Sequence, residues 1–462
     1  MPALEFPPIL PHGSAATAEV VSELAHIKRF LEYWSADPKF REALPADPVG
    51  VAAAAGLQAD ALALKPLWDL SGQVYTELPP AVHRYRSFIQ EKLVYRDALR
   101  SRATSSHPRF RAWRQRQINR CFGELGQQKG GSLVHALMAV ELCQGCSVGC
   151  WFCGISALKL GGVWPYTESN AQLWKGVLAA ARRLLGPACG RGFCYWATDP
   201  LDNPDYESFC QDFSNELGRF PQTTTAQPMR DPDRFRRLHR LSRERGNEID
   251  RFSVLSLGML KKIFAEYTAE ELLYVELVMQ MDGAYASKAY AGKARAQSTR
   301  WKKSLGRDVP ADHSTSTIAC VSGLLLRMPE QSFELISPTQ ADERWPNGYR
   351  IHARHSFQDA AEFESQLSSV LNALPERLPL NQPLRLRRDL DFQSSEDSSA
   401  VVNYHLKLSW NEPGVRPLLK GLAEGGRSAT ELALDCEAEQ PLEQTLQLLN
   451  RFFDMGLLDD EP

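Results

Sequence analysis

Cys146-Ser147-Val148-Gly149-Cys150-Trp151-Phe152-Cys153 places three cysteines in the spacing C-x3-C-x2-C, with an aromatic residue, Phe152, directly before the last. Three thiolates on one short loop can hold three corners of a cubane [4Fe–4S] cluster. The fourth iron then has no protein ligand and can bind a small molecule. Cys143 stands just upstream, so the run also reads C-x2-C-x3-C-x2-C. Structural zinc sites separate two C-x2-C pairs by roughly 12 or more residues, so that each pair forms its own turn. Three residues are too few for that geometry. The bacterial ferredoxin run C-x2-C-x2-C-x3-C-P has another order and ends in proline, whereas Gly154 follows here. Zinc and other iron sites are the weaker readings, and Cys143 reads as a buried thiol at a strand end.

Working outward, residues 134–142 form an apolar run that feeds straight into the cysteine loop. Strand-like segments follow at 192–198, 220–227, 249–256, 272–279 and 316–326. Helical patterns at 167–185, 204–217, 232–245 and 258–267 lie between them. Six such alternations predict a parallel sheet with crossover helices. The expected fold class is α/β, a partial (β/α)6 TIM-type barrel. Chemistry in such a barrel sits at the C-terminal ends of the strands, where the cysteine loop falls.

The bulk properties narrow the classes further. The chain has 462 residues, a formal net charge of −3 and ten cysteines. Near-neutral charge implies no broad nucleic-acid surface. No basic leader with an apolar run opens the sequence, and no stretch of about 18 apolar residues occurs, so no membrane partner is expected. The expected setting is cytoplasmic, with the cysteines serving metal or redox chemistry rather than disulfides. Residues 1–130 read as a helical N-terminal region, 131–340 as the barrel and 341–462 as an α+β C-terminal extension. Residues 27–68 resemble a Nif11-type leader, with a plain helical cap on the barrel as the other reading. The C-terminal extension resembles a winged-helix or peptide-recognition module, against a generic helical subdomain.

The cysteine spacing and its aromatic resemble the radical S-adenosylmethionine (SAM) enzymes. The finer resemblance is to the radical SAM peptide epimerases of the proteusin type. It rests on the cysteine motif, on Arg251-Phe252-Ser253-Val254-Leu255-Ser256, on the Cys320 segment, and on Leu335-Ile336-Ser337-Pro338 with Glu343-Arg344-Trp345-Pro346. It covers roughly residues 130–355 of the chain. It implies a radical SAM barrel that converts L- to D-residues in a ribosomally made precursor peptide. Cys146, Cys150 and Cys153 would hold the [4Fe–4S] cluster. A 5′-deoxyadenosyl radical from SAM would remove Hα, and the Cys320 thiol would return hydrogen to the opposite face. A buried core cysteine is the bland alternative for Cys320, and Cys436 is the second candidate donor.

For SAM contacts the resemblance points to Phe152, Thr198, Asp199, Ser253 and Ser256. Thr198-Asp199-Pro200 stands where the family carries a Gly-Gly-Glu-type motif. Asp202 or Asn203 reads as a helix N-cap, and Thr225 and Gln227 as substrate-lining. The implied partners are the precursor peptide, leader and core, and an electron donor such as flavodoxin or ferredoxin. Only Cys189 and Cys194 could seed a second cluster, and their spacing argues against one. The alternatives are another radical SAM peptide maturase, cross-linking or excising, and a catalytically silent peptide-binding barrel.

Overall fold

The computed structural model describes residues 17–101, 104–281, 283–285, 290–297, 317, 319–395, 397–412 and 414–460. Thr315, Ser316 and Ile318 of the Cys320 segment lie outside these. The fold is mixed α/β. Its centre is β1 (Ala136–Glu141), whose six residues are all buried, as a strand covered on both faces requires. The hairpin β2 (Cys143–Gln144) and β3 (Gly162–Val163) follows it, with the cysteine loop between its strands. β1 pairs in parallel with β7 (Val321–Arg327), which continues antiparallel into β8 (Ser332–Pro338) and β9 (Tyr349–Ser356). A second sheet holds β4 (Thr224–Thr225), β5 (Asp250–Val254) and β6 (Val275–Met279), all parallel.

These sheets stop short of the expected six-stranded barrel. The second strand, expected over 192–198, shrinks to one bridge, Ala139 to Phe193, and a bond from the Trp196 N–H to the Val140 carbonyl at 3.0 Å. Ala197 has φ +54°, a left-handed turn that ends extension there. The third strand spans two residues between Pro221 and Pro228. The sixth pairs with the first, and among the described residues it makes no pair with the fifth, which lies in the other sheet.

Helices α7 (Glu168–Leu185) and α8 (Tyr206–Leu217) cover the outer face of β1. Trp174, Leu178, Phe209 and Phe213 pack there with Leu137 and Val140. The N-terminal helices α1 (Ala18–Ala36), α2 (Pro38–Ala43), α3 (Pro48–Ala54), α4 (Lys65–Trp68) and α5 (Pro80–Ser101) share one apolar core with β5, β6, Phe235 of α9 (Pro232–Glu244) and α10 (Leu257–Glu266). A boundary at residue 130 therefore does not divide two cores. Side chains of α1 also complete the free edge of β6. Lys28 donates to the Val275 carbonyl at 2.8 Å, and the Leu277 N–H donates to Glu32 at 3.4 Å.

The boundary expected at 341 falls inside the β8–β9 hairpin, and α11 (Ala360–Ala373) joins the β1 core through Phe363 and Leu367. A distinct core begins near Leu378, built on the antiparallel sheet β10 (Asp391–Ser394), β11 (Ser399–Val402) and β12 (Lys407–Trp410) and on three helices between Val415 and Asp454. α6 (Pro108–Ser132) joins this unit to the rest: its Arg120 bonds Glu124 at 2.8 Å and also pairs with Asp460. Among the described residues no helix is long and apolar enough to cross a membrane.

Candidate functional site

The site is a loop closed at its base. Backbone bonds run from the Cys146 N–H to the Leu158 carbonyl (2.9 Å), from the Leu160 N–H to the Cys146 carbonyl (3.2 Å), and from the Gly161 N–H to the Gln144 carbonyl (2.8 Å). Gly145, at φ +83°, lets the chain turn into Cys146. A Cβ there would stand 2.5 Å from the Lys159 carbonyl oxygen. Gly149, at φ +66°, makes the same left-handed turn before Cys150, a conformation that strains any residue with a Cβ.

Cys146, Cys150 and Cys153 are free thiols, each partly accessible. The backbone N–H groups of Val148 and Asp199 point at the Cys146 sulfur, and the Ala157 N–H donates to Cys153 Sγ at 3.3 Å. Burial pushes the Cys150 thiol up to about 11, and the neighbouring Cys146 and Cys153 add to the rise as like charges. Burial also raises Cys146, against those two amides. Mutual repulsion of this kind is what a bound cationic core relieves. Among the described residues no three of His, Cys, Asp and Glu converge on one metal ion. A cubane does not need that convergence, since each thiolate takes a different iron. Three adjacent thiols with amide donors aimed at sulfur, on a partly open loop, therefore fit a cluster. Cys143 is fully buried, and its sulfur accepts from the Thr198 hydroxyl.

Two aspartates stand beside this loop, and the carboxylate of one, Asp202, anchors it. Asp202, whose side chain is 0% exposed, accepts from the Ser147 N–H at 2.9 Å, from its hydroxyl at 2.5 Å and from Arg230 at 2.9 Å. Gln227, expected to line substrate space, donates instead to Ser147 Oγ at 2.8 Å. Asp199 accepts from the Thr225 hydroxyl (2.9 and 3.0 Å), the Ala226 N–H (2.7 Å) and the Leu201 N–H (3.1 Å). Burial lifts its carboxyl to about 6. Asp199 is thus itself the cap of the short 3-10 turn at Pro200–Asp202. Asn203 spans Leu142 and Trp164 through its amide.

The other expected residues spread out. Phe152 packs edge-on against Trp151, 5.3 Å between ring centres. Ser253 lies on the accessible face of β5, whereas Ser256, beyond the end of that strand, caps α10 by accepting from the Met259 N–H at 3.1 Å. Cys320 immediately precedes β7, and its carbonyl accepts from the Ala136 N–H at 2.8 Å. That is the start of the parallel pair β1–β7, the opposite end from the cysteine loop. Its thiol packs beside Tyr195, and burial raises it. Cys436, Cys189 and Cys194 are all buried in apolar cores. Sequence reasoning missed Gly292-Lys293, which closes over the loop: the Lys293 N–H donates to the Cys153 carbonyl at 2.9 Å and its Nζ to the Ala157 carbonyl at 2.6 Å. The Gly-Lys pair alone carries no signal of this.

No known family model matches the chain. The crystal structure of BtrN in complex with AdoMet and 2-DOIA aligns at a TM-score of 0.25 and 16% identity, covering 32% of this chain and 57% of that one. A likeness this slight fixes neither fold nor chemistry. The uncharacterized protein y4wI of Sinorhizobium fredii is 36% identical over 462 residues, 96% of this chain and 89% of that protein. The chain belongs to the same family as y4wI.

Proposed function

We propose that this protein is a radical SAM enzyme. The observation that carries the reading is the closed loop with three neighbouring free thiols, two of them facing backbone N–H donors. Cys146, Cys150 and Cys153 would hold a [4Fe–4S] cluster, which with SAM at its open corner supplies a carbon-centred radical able to abstract hydrogen. The amides of Val148, Asp199 and Ala157 stabilise the sulfurs as thiolates. Asp202 fixes the loop through Ser147, and Lys293 shields its far side.

The finer reading is an L-to-D epimerase acting on a ribosomally made peptide, with an external electron donor such as flavodoxin or ferredoxin. Support comes from the sequence resemblance and from Cys320, a thiol beside Tyr195 and the inward face of β5. Because Cys320 stands at the far end of β1–β7, a substrate α-carbon must reach down between the loop and this thiol. Cysteines that could build a second cluster are buried in apolar cores, which suits a reaction with no net oxidation.

Anaerobic reconstitution followed by iron, sulfide and 5′-deoxyadenosine measurement tests the coarse reading. Wild type is expected to bind about four iron and four sulfide per chain, and absence of both sinks it. For the finer reading, a precursor peptide is incubated with SAM and reductant in D2O. One deuterium per inverted residue is expected. C320A is expected to cleave SAM without clean inversion, and full inversion by C320A removes Cys320 from the role.

A further inference from the structure

The sheet β4-β5-β6 presents one face to the helices and the other inward. Along β5 and β6 burial alternates residue by residue, as in a half-covered strand. Phe252, Val254, Val275 and Leu277 enter the helical core, while Arg251, Ser253, Glu276 and Val278 keep partial access to solvent. Register sets Thr224, Arg251 and Glu276 side by side across the three strands. Lys92 of α5 pairs with Glu276. Lys28 and Glu32, the next charges along, pair with each other at 2.5 Å.

Arg251 is left over. Among the described residues its guanidinium has neither a carboxylate partner nor a hydrogen bond. Its field reaches Tyr195 and Cys320. Beside it, the Thr224 hydroxyl donates to the Tyr195 oxygen, the Tyr195 hydroxyl donates to Gln222 Oε1 at 3.4 Å, and Gln222 Nε2 is buried without a partner. The row therefore carries one positive charge in excess, on an arginine that keeps partial access to solvent, with one unspent amide beside it. When a substrate displaces that solvent, a bare guanidinium becomes costly unless an anion meets it.

We propose that Arg251, flanked by Thr224 and Gln222, is the anion-recognition point of the inward face of this sheet and takes a carboxylate or phosphate group of the substrate. The planar fork of arginine matches either oxyanion bidentately. The inference rests on reading this face as part of the substrate site of the radical enzyme. It adds the substrate's charge and the place where that charge is held, beside Cys320 rather than beside the cysteine loop.

The test uses the full chain, as isolated, with three probes: succinate, inorganic phosphate and uncharged succinamide. Binding is read by titration calorimetry and by the shift in melting temperature. Wild type is expected to bind one anion per chain saturably and to ignore succinamide, and the tighter anion identifies the source. R251Q is expected to weaken that affinity by about tenfold or more, with native circular dichroism as control. E276Q, which removes the counter-charge, is expected to tighten it. Should R251Q fail to fold, R251K decides, because loss of the fork is expected to weaken binding by about three- to tenfold. Equal anion affinity in wild type and in the arginine variant, or no saturable binding at all, overturns the proposal. Iron content and SAM cleavage of wild type are scored separately. Anion binding without a cluster would sink the radical reading alone, and a cluster without Arg251-dependent binding would sink this one alone.

Discussion

Asp202→Ala removes the carboxylate that ties the cysteine loop to the turn after Asp199. In the wild type that carboxylate receives the Ser147 N–H at 2.9 Å, the Ser147 hydroxyl at 2.5 Å, Arg230 at 2.9 Å and Gln227 at 3.3 Å, with the side chain 0% exposed. A hydrogen bond to a charged acceptor contributes about 1.5–3 kcal/mol. Arg230 is 49% exposed, so its share falls toward the ~0–1 kcal/mol of a surface pair. Ser147 is itself exposed, and water replaces part of what it loses. The net cost of D202A is then about 2–3 kcal/mol. The loop should open by a similar amount, speeding release of any bound iron by roughly tenfold or more. Two measurements check this: urea unfolding followed by tryptophan fluorescence, and the rate at which a chelator removes iron from the anaerobically reconstituted protein. D202N, which keeps one acceptor oxygen, should fall between. Wild-type stability together with a wild-type iron-release rate in D202A would refute the clamp.

Three further outcomes follow from the same geometry. C146A, C150A and C153A should each lose iron and sulfide on reconstitution while C436A keeps both, as read by chemical analysis and electron paramagnetic resonance. G145A places a Cβ 2.5 Å from the Lys159 carbonyl at φ +83°. It should cost about 2 kcal/mol or more and lower iron occupancy, whereas G56A, also at positive φ but with open space around it, should leave occupancy unchanged. Glu141 at the end of β1 has its carboxyl raised to about 7, chiefly by burial and against the pull of Arg327. A raised carboxyl adds stability that is full below about pH 4 and is lost as pH climbs through 7. Wild type should therefore lose up to about 3 kcal/mol relative to E141Q between pH 4 and pH 8. A wild-type-to-E141Q difference that stays flat across that range in urea titrations would remove the effect.

Features held by neighbours in sequence were legible. The helices start where local caps predict: Thr167 accepts from the Asn170 N–H at 3.2 Å and Asp231 from the Arg234 N–H at 2.8 Å. The cysteine loop was legible for the same reason, since its three thiols lie within eight residues of each other. What stayed hidden depends on distant partners. Asp202 looked like a helix cap, because Ser147 lies 55 residues away. Gln227 and Thr225 looked like substrate contacts, yet they serve Ser147 and Asp199. The short second and third strands were over-read because apolar and β-branched residues there signal extension, while the left-handed turn at Ala197 leaves no mark in composition.

The two side chains of α1 that finish the edge of β6 also constrain how the chain can mature. Lys28 waits for a carbonyl 247 residues downstream. On the ribosome, at about 5–20 residues per second, the first helices would emerge many seconds before their sheet exists, with an apolar stripe and a buried lysine both unserved. The nascent amino-terminal segment is thus the part of this protein with most to gain from a chaperone.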